Sequence, residues 1–492
     1  MSDAEAFAKL VELTRRGLMV HTHSQHVRPG EILVVLPTAC PTSTLGAAEV
    51  NRYISEALEH GAKFVVVQKD IVLTNKYLNG RIIRISDPRA ALGDLASAHF
   101  GTGRLPFPVI GITGTNGKTT ICYLLEHLFR ENGYRVGILG TVSYRWPKVE
   151  FNAPLTTPDC WQLHELFKRM AEAQVDIAFM EVSSHAIDQQ RVAGLNFAAA
   201  VFTNLTQDHL DYHTDMEHYF RTKVRLFHNL PEKQKTCVIN WNDTYGLRLL
   251  ETCHNTIGYG LYGPNPLANR SVPELKGHIV ANTIEGLSIL MGWKDQAWKI
   301  KSPLIGRYNA SNLLATQAVG LAFGLTHREL IALNTCVGAP GRMERIQGTR
   351  GQIIFVDYAH SPDALKNVLV TLKDLQPARI ITVFGCGGNR DRSKRPLMGQ
   401  AVARWSDMIV LTSDNPRHED PLVIIADVLP GLEGCLQVVV EPDRRAAITL
   451  ALKSMKEGDI LLIAGKGHET YQQIEDQKVV FSDQTVVQEL LS

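Results

Sequence analysis

The sequence predicts an α/β protein of three domains. With 492 residues, the chain is too long for one hydrophobic core and indicates about three domains of ordinary size. Short apolar runs alternate with amphipathic helical patterns, which is typical of parallel sheets covered on both faces. A glycine-rich turn at 113–118 separates an apolar run from a helical pattern. We predict a small α/β N-terminal domain, a central P-loop domain with a doubly wound, mostly parallel sheet, and a C-terminal Rossmann-like domain.

The composition is that of a soluble globular protein, with 45% hydrophobic and 21% charged residues. The 51 Lys and Arg residues balance 50 Asp and Glu, so no basic field would attract nucleic acid or anionic lipid. Eight cysteines without a Cys-x-x-Cys pair indicate reduced thiols. The start lacks a signal-peptide pattern, and no apolar run reaches the length of a membrane span. We expect a cytoplasmic monomer with no nucleic-acid partner and no stable membrane association.

Residues 1–104 form the predicted N-terminal domain. A helix is expected at Ala47–His60, and strands are expected at Glu31–Leu36, Lys63–Gln68 and Arg81–Ser86. The segment Gly101–Pro108 contains two glycines and two prolines, so we expect it to link this domain to the next.

Residues 105–337 form the predicted central domain. Beyond the glycine-rich turn, strands are expected at Val136–Thr141, Asp176–Val182, Ala198–Phe202 and Thr236–Asn240. Glycines, prolines and short alternating stretches interrupt this rhythm between Thr256 and Lys301, where we expect a small antiparallel insertion.

Residues 338–492 form the predicted C-terminal domain. Its expected strands are Ile353–Asp357, Arg379–Phe384, Met408–Thr412, Gln437–Val440 and Asp459–Ala464. The alternation predicts a second doubly wound sheet, but this part of the chain has no Lys-Thr phosphate loop of its own.

The glycine-rich turn has the features of a phosphate-binding loop. Val109–Ile112 leads into Thr113-Gly-Thr-Asn-Gly-Lys-Thr119, although Ile112 stands where the strict Walker pattern has its first glycine. Glycines let backbone amides face phosphate oxygens, and the helix N-terminus adds partial positive charge. Lys118 can reach the outer phosphates, and Thr119 can hold Mg²⁺. The turn therefore predicts binding of ATP or a close relative.

Polar residues follow two further predicted strands. Glu181 ends the run that begins at Ile177, and His209 follows the strand Ala198–Phe202. Because open α/β sheets bind ligands at such strand ends, the two side chains could complete a metal site. Mg²⁺ prefers oxygen ligands, so His209 would be an unusual ligand. An ordinary rim carboxylate and a hydrogen-bonded core histidine are the alternative.

Seven motifs, in one order over about 360 residues, resemble those of the Mur ligase superfamily, ATP-dependent enzymes that extend the peptide of the cell-wall precursor. They are Gly114–Thr120, Met180–His185, Asn204–Asp211, Gly306–Asn312, Gly341–Arg345, Asp357–Pro362 and Gly465–Glu469. The resemblance implies an amide ligase that uses ATP and Mg²⁺. The D-glutamate carboxylate of UDP-N-acetylmuramoyl-L-alanyl-D-glutamate would form an acyl phosphate, from which an incoming amine displaces phosphate.

The resemblance also implies roles for individual residues. Catalytic roles fall to Lys118, His209 and Lys223, and metal ligation to Thr119, Glu181, His209 and Lys223, the last as a carbamylated lysine. Without the resemblance, Lys223 would be a solvated helical lysine. The implied ATP contacts are Gly114, Thr115, Asn116, Gly117, Lys118, Thr119, Thr120, Asn309, Asn312, Arg342 and Asp357. The implied contacts to the UDP-muramoyl-peptide are Ser24, Thr156, Thr157, Ser183, Gln189 and Arg191.

The N-terminal domain departs from the family pattern. The family has a Thr-Asp-Ser-Arg-like stretch where this chain has Thr22-His-Ser-Gln25, and a glycine-rich turn where it has Pro37–Ser43. Ser24 still matches a nucleotide contact, but the acid and the arginine are absent. How the uridine nucleotide is held is therefore left open.

The stretch Asp414-Asn415-Pro416-Arg417 indicates which amino acid is added. Family members that add meso-diaminopimelate have this motif, whereas those that add L-lysine usually have another residue in place of the arginine. Diaminopimelate has a distal carboxylate that lysine lacks, and an arginine can bind it with two charge-assisted hydrogen bonds. Taken alone, the motif could be a simple turn with an exposed arginine. The other implied amino-acid contacts are Arg390, Gly465 and Glu469.

Three alternatives remain at this point. An L-lysine-adding ligase would share the whole ATP site, and a folylpolyglutamate synthase-like ligase would share the ATP chemistry and much of the architecture. A nucleotide-binding scaffold without catalysis would explain the altered uridine motif. Against the scaffold, Lys118, Glu181, His209 and Lys223 are all present.

Overall fold

A computed structural model describes residues 2–38, 46–73, 81–210, 212–228, 230, 236–262, 274–348 and 351–492. The expected motif residue Asp211 and most of the turn Pro37–Ser43 lie outside this range. Three separate α/β sheets follow one another along the chain, together with a small hairpin. The predicted fold class is confirmed.

The first sheet has four parallel strands in the order β1-β2-β3-β4. Its elements are α1 (Asp3–Arg15), β1 (Val20–His21), β2 (Ile32–Val34), α2 (Ala47–Glu59), β3 (Phe64–Gln68), β4 (Ile82–Ile85) and α3 (Pro88–Phe100). In β2, Ile32 packs with α1 and α3, whereas Leu33 packs with α2 on the other face. Burial on both faces explains why this strand is continuously apolar.

The second sheet has eleven strands in the order β15-β14-β13-β12-β11-β10-β5-β9-β6-β7-β8. Its strands are β5 (Val109–Thr113), β6 (Val136–Leu139), β7 (Ser143–Trp146), β8 (Val149–Asn152), β9 (Ile177–Glu181), β10 (Ala199–Phe202), β11 (Thr236–Asn240), β12 (Thr256–Leu261), β13 (Glu274–Thr283), β14 (Gly286–Trp293) and β15 (Gln296–Ser302). The strands from β13 to β6 in this order pair in parallel, and antiparallel strands extend both edges.

The expected antiparallel insertion between Thr256 and Lys301 needs a correction. Thr256–Leu261 pairs in parallel with both β11 and β13, so it belongs to the central sheet. Among the described residues of this stretch, the antiparallel part consists of β13, β14 and β15. Because β12 contains two glycines, its composition was typical of a loop although its backbone is paired on both sides.

Helices cover both faces of the second sheet. They are α4 (Lys118–Glu131), α5 (Cys160–Glu172), α6 (Ser184–Asp188), α7 (Met216–His228), α8 (Thr244–Leu250), α9 (Arg307–Ala322) and α10 (His327–Leu330). One apolar core joins α4 and α9 to the sheet, and a second joins α5, α7 and α8 to its opposite face. This doubly wound arrangement places the ends of β5, β9 and β10 at one edge, where their loops can meet.

The third sheet has the order β16-β17-β21-β18-β19-β20, with β16 antiparallel at the edge and the other strands parallel. Its strands are β16 (Glu344–Gln347), β17 (Ile353–Asp357), β18 (Ile380–Phe384), β19 (Met408–Leu411), β20 (Val438–Val440) and β21 (Ile460–Ala464). The helices are α11 (Pro362–Lys373), α12 (Lys394–Ala403), α13 (Pro421–Val428), α14 (Arg444–Ser454) and α15 (Asp483–Leu491). An antiparallel hairpin of β22 (Tyr471–Ile474) and β23 (Gln477–Val480) projects beyond β21.

Seven cysteines lie in the described ranges; they form no disulfide bond there, and five of them are buried. No helix among the described residues is long and apolar enough to cross a membrane.

A buried histidine connects the expected link Gly101–Pro108 to the central domain. His164, on α5, is completely buried, and its ring bonds the Thr102 hydroxyl and, at 2.8 Å, the Ala193 carbonyl oxygen. Burial lowers the pKa of His164 from 6.5 to about 4, although the hydrogen bond to Ala193 opposes the shift.

Acidification should therefore destabilise the fold through His164. Because the folded pKa lies below the unfolded one, the unfolded state binds more protons as the pH falls, and the stabilisation present above the unfolded pKa is lost. Between about pH 7.5 and pH 5, wild type should lose about 2 kcal/mol more unfolding free energy than His164→Gln. Urea unfolding at the two pH values measures this difference, and equal losses would contradict the assignment.

Candidate active site

The predicted phosphate loop joins β5 to α4. Gly114 and Gly117 both have positive φ, 147° and 91°, and a side chain at either position would also collide with its surroundings. A Cβ at Gly114 would lie 1.9 Å from the Thr203 hydroxyl, and one at Gly117 would lie 2.6 Å from Asn312 Oδ1. Asn116 anchors the loop, because its backbone amide donates to Asn204 Oδ1 at 3.0 Å. The two glycines are thus required by conformation and by space.

Lys118 is the first residue of α4, and its side chain folds back over the loop. The Nζ atom donates to the carbonyl oxygens of Gly114 and Thr115 at 2.9 and 2.8 Å. Burial lowers the pKa of Lys118, while the nearby Glu181 carboxylate opposes that shift. The amine therefore lies at the mouth of the loop, where it could contact a bound phosphate.

Glu181, at the end of β9, is almost completely buried and is held by three hydrogen bonds. It accepts from the Thr119 hydroxyl at 2.9 Å and from the Thr141 amide and hydroxyl at 2.7 and 3.0 Å. Sequence analysis identified Thr119 and Glu181 but missed Thr141, which lies just after β6. The adjacency of β6 and β9 brings it here.

Asp208 and His209 lie on the loop after β10. The His209 ring is partly exposed, and its centre lies 4.8 Å from the centre of the His185 ring. Partial burial lowers the pKa of His209 from 6.5 to about 4. Asp208 Oδ1 accepts from the Nζ atom of Lys394, 3.2 Å away on α12. Sequence analysis missed Lys394, which links the third sheet's helices to the loops of the second sheet.

Lys223, on α7, is almost completely buried beside the phosphate loop. Its Nζ atom donates to the Gly114 carbonyl oxygen at 3.0 Å and lies 4.7 Å from the centre of the Tyr219 ring. Burial, reinforced by the charge of Lys118, lowers the pKa of Lys223 well below its usual range. Among the described residues, no carboxylate forms an ion pair with it.

The donor set fits a magnesium ion in part. The Thr119 hydroxyl and Glu181 carboxylate are adjacent oxygen donors of the type that Mg²⁺ prefers. A protonated Lys223 would repel a cation, whereas carbamylation would turn the side chain into an oxygen donor. Within the described ranges, no group of three His, Cys, Asp or Glu side chains forms a ready-made metal site.

The three residues that the resemblance places at the adenine and ribose of ATP lie in the second and third parts of the chain. Asn309 and Asn312 are buried on α9, where Asn312 Nδ2 donates to Asn309 Oδ1 at 3.2 Å. Asp357, at the end of β17, accepts from the amides of Met343 and Ala359, both at 2.7 Å, and burial raises its pKa.

Arg342 precedes β16, and its guanidinium lies 4.4 Å from the centre of the Tyr358 ring. Its Nε atom is buried and has no hydrogen-bond partner in the part of the chain that the structure describes. A buried donor without a partner is costly unless a ligand satisfies it. The electrostatic influence of Arg342 lowers the pKa of Lys118, so the two cations act on the same region.

The implied muramoyl-peptide residues form one connected group beside Glu181. Thr156 lies 3.1 Å from Thr141, hydroxyl to hydroxyl, and the Thr157 hydroxyl donates to the Glu181 carbonyl oxygen at 2.8 Å. Arg191 donates to Gln189 Oε1 at 2.7 and 3.0 Å and to the Thr157 carbonyl oxygen at 3.2 Å. The Ser183 amide completes the group by donating to the Thr157 hydroxyl at 3.1 Å.

Ser24 lies apart from this group, in a cleft of about 800 Å³ on the N-terminal sheet. Its hydroxyl donates to Glu56, and the cleft is also lined by His23, His26, Arg52 and Tyr53. The cleft therefore offers aromatic, basic and hydroxyl groups even though the usual family acid and arginine are absent.

The implied amino-acid residues meet at the ends of β19 and β21. Asn415 Nδ2 donates to Glu469 Oε2 at 2.8 Å, and a Cβ at Gly465 would lie 2.5 Å from Asp414 Oδ2. Lys466, which sequence analysis missed, donates to both Asn415 and Glu469.

Arg417 has a positive φ of 52°, and its backbone is fixed by the neighbouring hairpin. Its amide donates to the Gln473 carbonyl oxygen at 3.1 Å, and its own carbonyl oxygen accepts from the Glu475 amide at 2.7 Å. The guanidinium donates to the Gly388 carbonyl oxygen at 2.7 Å and forms no ion pair with a carboxylate among the described residues. The loop Gly387–Arg390, which contains the exposed Arg390, lies against it.

The chain matches two family models that together span most of these loops. They are the Mur ligase middle domain, at residues 112–320, and the Mur ligase, glutamate ligase domain, at residues 341–467. The chain belongs to the Mur ligase family, and the resemblance inferred from its motifs is confirmed.

Several relatives that match over nearly the whole chain are named UDP-N-acetylmuramoyl-L-alanyl-D-glutamate--2,6-diaminopimelate ligase. That of Lawsonia intracellularis (strain PHE/MN1-00) is 48% identical over 482 residues, which cover 98% of this chain and 97% of the relative. That of Solibacter usitatus (strain Ellin6076) is 41% identical over 472 residues, covering 95% and 92%. A solved structure of a ligase with this name is 31% identical, covers 96% of this chain and 94% of its own, and has a TM-score of 0.68.

Proposed function

We propose that this protein adds meso-2,6-diaminopimelate to the D-glutamate of UDP-N-acetylmuramoyl-L-alanyl-D-glutamate, with ATP as the energy source, during synthesis of the peptidoglycan precursor. Membership of the Mur ligase family supports ATP-dependent amide ligation. The full-length relatives named for the diaminopimelate reaction support the choice of substrates.

The observation that favours diaminopimelate is the hydrogen bonding of Arg417. Its backbone is fixed on both sides, but its guanidinium has only a carbonyl partner within the described residues. The distal carboxylate of diaminopimelate would supply the missing anion in a planar, two-bond geometry. L-Lysine would leave the guanidinium unpaired, which a partly buried site resists.

The reaction requires a carboxylate to approach a triphosphate. In the proposed sequence, a carboxylate oxygen of the D-glutamate bonds to the γ-phosphorus and ADP leaves. The amine then attacks the acyl carbon, loses a proton and expels inorganic phosphate. Lys118 and Arg342 would reduce the charge repulsion, while Thr157 and Arg191 would orient the peptide substrate. These residues hold reactants that repel one another in solution.

Thr119 and Glu181 would hold Mg²⁺, which would neutralise phosphate charge when bound. We propose that Lys223 is carbamylated and, with His209, completes a second metal position. The low pKa of the buried Lys223 favours the neutral amine, the form that can react with carbon dioxide.

The proposal also covers the roles of the three predicted domains, the compartment and the oligomeric state. We assign residues 1–104, with the Ser24 cleft, to the uridine nucleotide, residues 105–337 to ATP, and residues 338–492 to the incoming amino acid. We also propose that the protein acts in the cytoplasm, where soluble small-molecule substrates would be present, and that it is a monomer.

The deciding experiment supplies UDP-N-acetylmuramoyl-L-alanyl-D-glutamate and Mg·ATP with either meso-diaminopimelate or L-lysine, and measures phosphate release. We expect release with diaminopimelate only. Faster release with L-lysine would favour the L-lysine-adding ligase. If neither amino acid supports release, a folate and glutamate would be supplied next. Phosphate release would then favour a folylpolyglutamate synthase-like ligase, and no release would favour the scaffold.

A further inference from the structure

Lys466 contacts two residues of the implied amino-acid site, Asn415 and Glu469. It follows Gly465 after β21, and its side chain is completely buried. The Nζ atom donates to Asn415 Oδ1 and to Glu469 Oε2, each at 3.0 Å. Because Lys466 is shielded from solvent, it cannot itself face an incoming substrate.

The contacts of Lys466 fix the orientation of the Asn415 amide. Asn415 Oδ1 also accepts from the Gln473 backbone amide at 2.9 Å, so two donors converge on this oxygen. The amide nitrogen then has to point the other way, where it donates to Glu469 Oε2 at 2.8 Å. Lys466 and the Gln473 amide together determine which face Asn415 presents.

The same contacts make the two carboxylate oxygens of Glu469 differ in their hydrogen bonding. Oε2 accepts from both Lys466 and Asn415, whereas Oε1 accepts no hydrogen bond from any residue that the structure describes. The side chain is 17% exposed, so the carboxylate is only partly open to water. When one carboxylate oxygen already accepts hydrogen bonds and the other does not, the second oxygen can accept a hydrogen bond from an ammonium group of a ligand.

The two charges depend on each other. Glu469 is the only ion-pair partner of the Lys466 ammonium among the described residues. Its other contacts, the Asn415 amide oxygen and the Tyr471 ring 5.8 Å away, carry no net charge. Removing either member of such a pair leaves the other buried without compensation. Without Lys466, Oε2 of Glu469 would lose its charged donor, and the partly exposed carboxylate could rotate towards solvent. Oε1 would then no longer be held in a fixed position.

We propose that Lys466 is a positioning residue for the incoming amino acid. It fixes the Asn415 amide and presents Glu469 as a carboxylate with one oxygen free for an ammonium group of the substrate. The inference rests on the proposed function, because the ligand of Glu469 is taken to be the amino acid that the enzyme adds.

Steady-state kinetics of Lys466→Met test the inference. The KM for meso-diaminopimelate should rise by about 50-fold, as expected for losing a charge-assisted contact. The KM for ATP should change by less than about twofold, because the ATP contacts lie on other loops. Lys466→Arg should recover part of the affinity, since it restores a cation.

A double-mutant cycle with Glu469→Gln shows whether Lys466 acts through Glu469. In the Glu469→Gln background, adding Lys466→Met should raise the KM for diaminopimelate by less than about threefold. Lys478→Met is the matched control, because the Lys478 Nζ atom lies 4.4 Å from the centre of the same Tyr471 ring but the residue is exposed on β23. Its KM values should equal those of wild type.

The outcomes separate this inference from the proposed function. If wild type turns over diaminopimelate but Lys466→Met keeps its KM, or raises the KM for ATP equally, the inference is wrong and the function stands. If wild type shows no turnover with diaminopimelate, both are wrong. Should Lys466→Met fail to fold, comparison of Glu469→Gln with the double variant decides, since the double variant removes both charges and the new amide oxygen of Glu469→Gln can still accept from Lys466. Similar KM values there support the inference, and a further loss above about tenfold contradicts it.

Discussion

Lys118→Met should lower kcat for phosphate release by about a thousandfold, the scale on which a lost transition-state contact is felt. Lys118 is the phosphate loop's own cation, and its Nζ atom is held within 2.9 Å of two loop carbonyl oxygens. Without it, the carboxylate of the peptide substrate would approach the γ-phosphate against uncompensated charge. Phosphate release at saturating substrates measures the change.

The fold should survive this substitution, because Met retains the apolar length of the lysine side chain and the loop keeps its anchor at Asn204. Lys168→Met is the control, since it removes a half-exposed lysine from α5 in the same domain. The control should retain wild-type kcat. Lys118→Met activity above about a tenth of wild type would contradict the role of this lysine.

Arg417→Ala should raise the KM for meso-diaminopimelate and lower kcat/KM by roughly a hundredfold to a thousandfold, as when one partner of a desolvated charge pair is removed. The discrimination against L-lysine should fall as well, because no unpaired guanidinium would then penalise it. The hairpin should keep the turn in place, since Arg417 pairs with Gln473 and Glu475 through its backbone. Competition between the two amino acids in one reaction measures both effects.

Arg417→Lys distinguishes charge from geometry. It keeps the positive charge but loses the planar pair of donors, so we expect it to remain well below wild type. Arg404→Ala, which removes an exposed arginine after α12, is the matched control and should behave as wild type. Unchanged selectivity in Arg417→Ala would show that another group recognises the distal carboxylate.

The strands were predictable wherever both faces of a sheet are covered. Ile353–Asp357 was predicted and found as β17, because a continuously apolar run can be buried only in this way. The strand Thr256–Leu261 was assigned to an insertion because its glycines obscured the pattern. The hairpin β22–β23 was missed, since its short and largely exposed strands have no apolar periodicity.

In the candidate site as well, residues within a motif were predictable, whereas contacts between distant parts of the chain were not. Thr119 was predicted as a metal ligand from the phosphate loop and Glu181 from its strand-end position, and their side chains lie 2.9 Å apart. Thr141 contacts Glu181 because β6 and β9 are neighbours in space, which no local pattern encodes. The ion pair of Lys394 with Asp208 spans 186 residues along the chain. Such contacts depend on the three-dimensional arrangement of the sheets.

The most direct test of the central claim follows an oxygen atom. The substrate peptide would be labelled with ¹⁸O in its D-glutamate carboxylate and incubated with Mg·ATP and meso-diaminopimelate, and the released phosphate would be analysed by mass spectrometry. Activation through an acyl phosphate transfers one carboxylate oxygen to phosphate, so we expect one ¹⁸O atom in each phosphate released. Unlabelled phosphate formed together with the amide product would contradict the proposed chemistry.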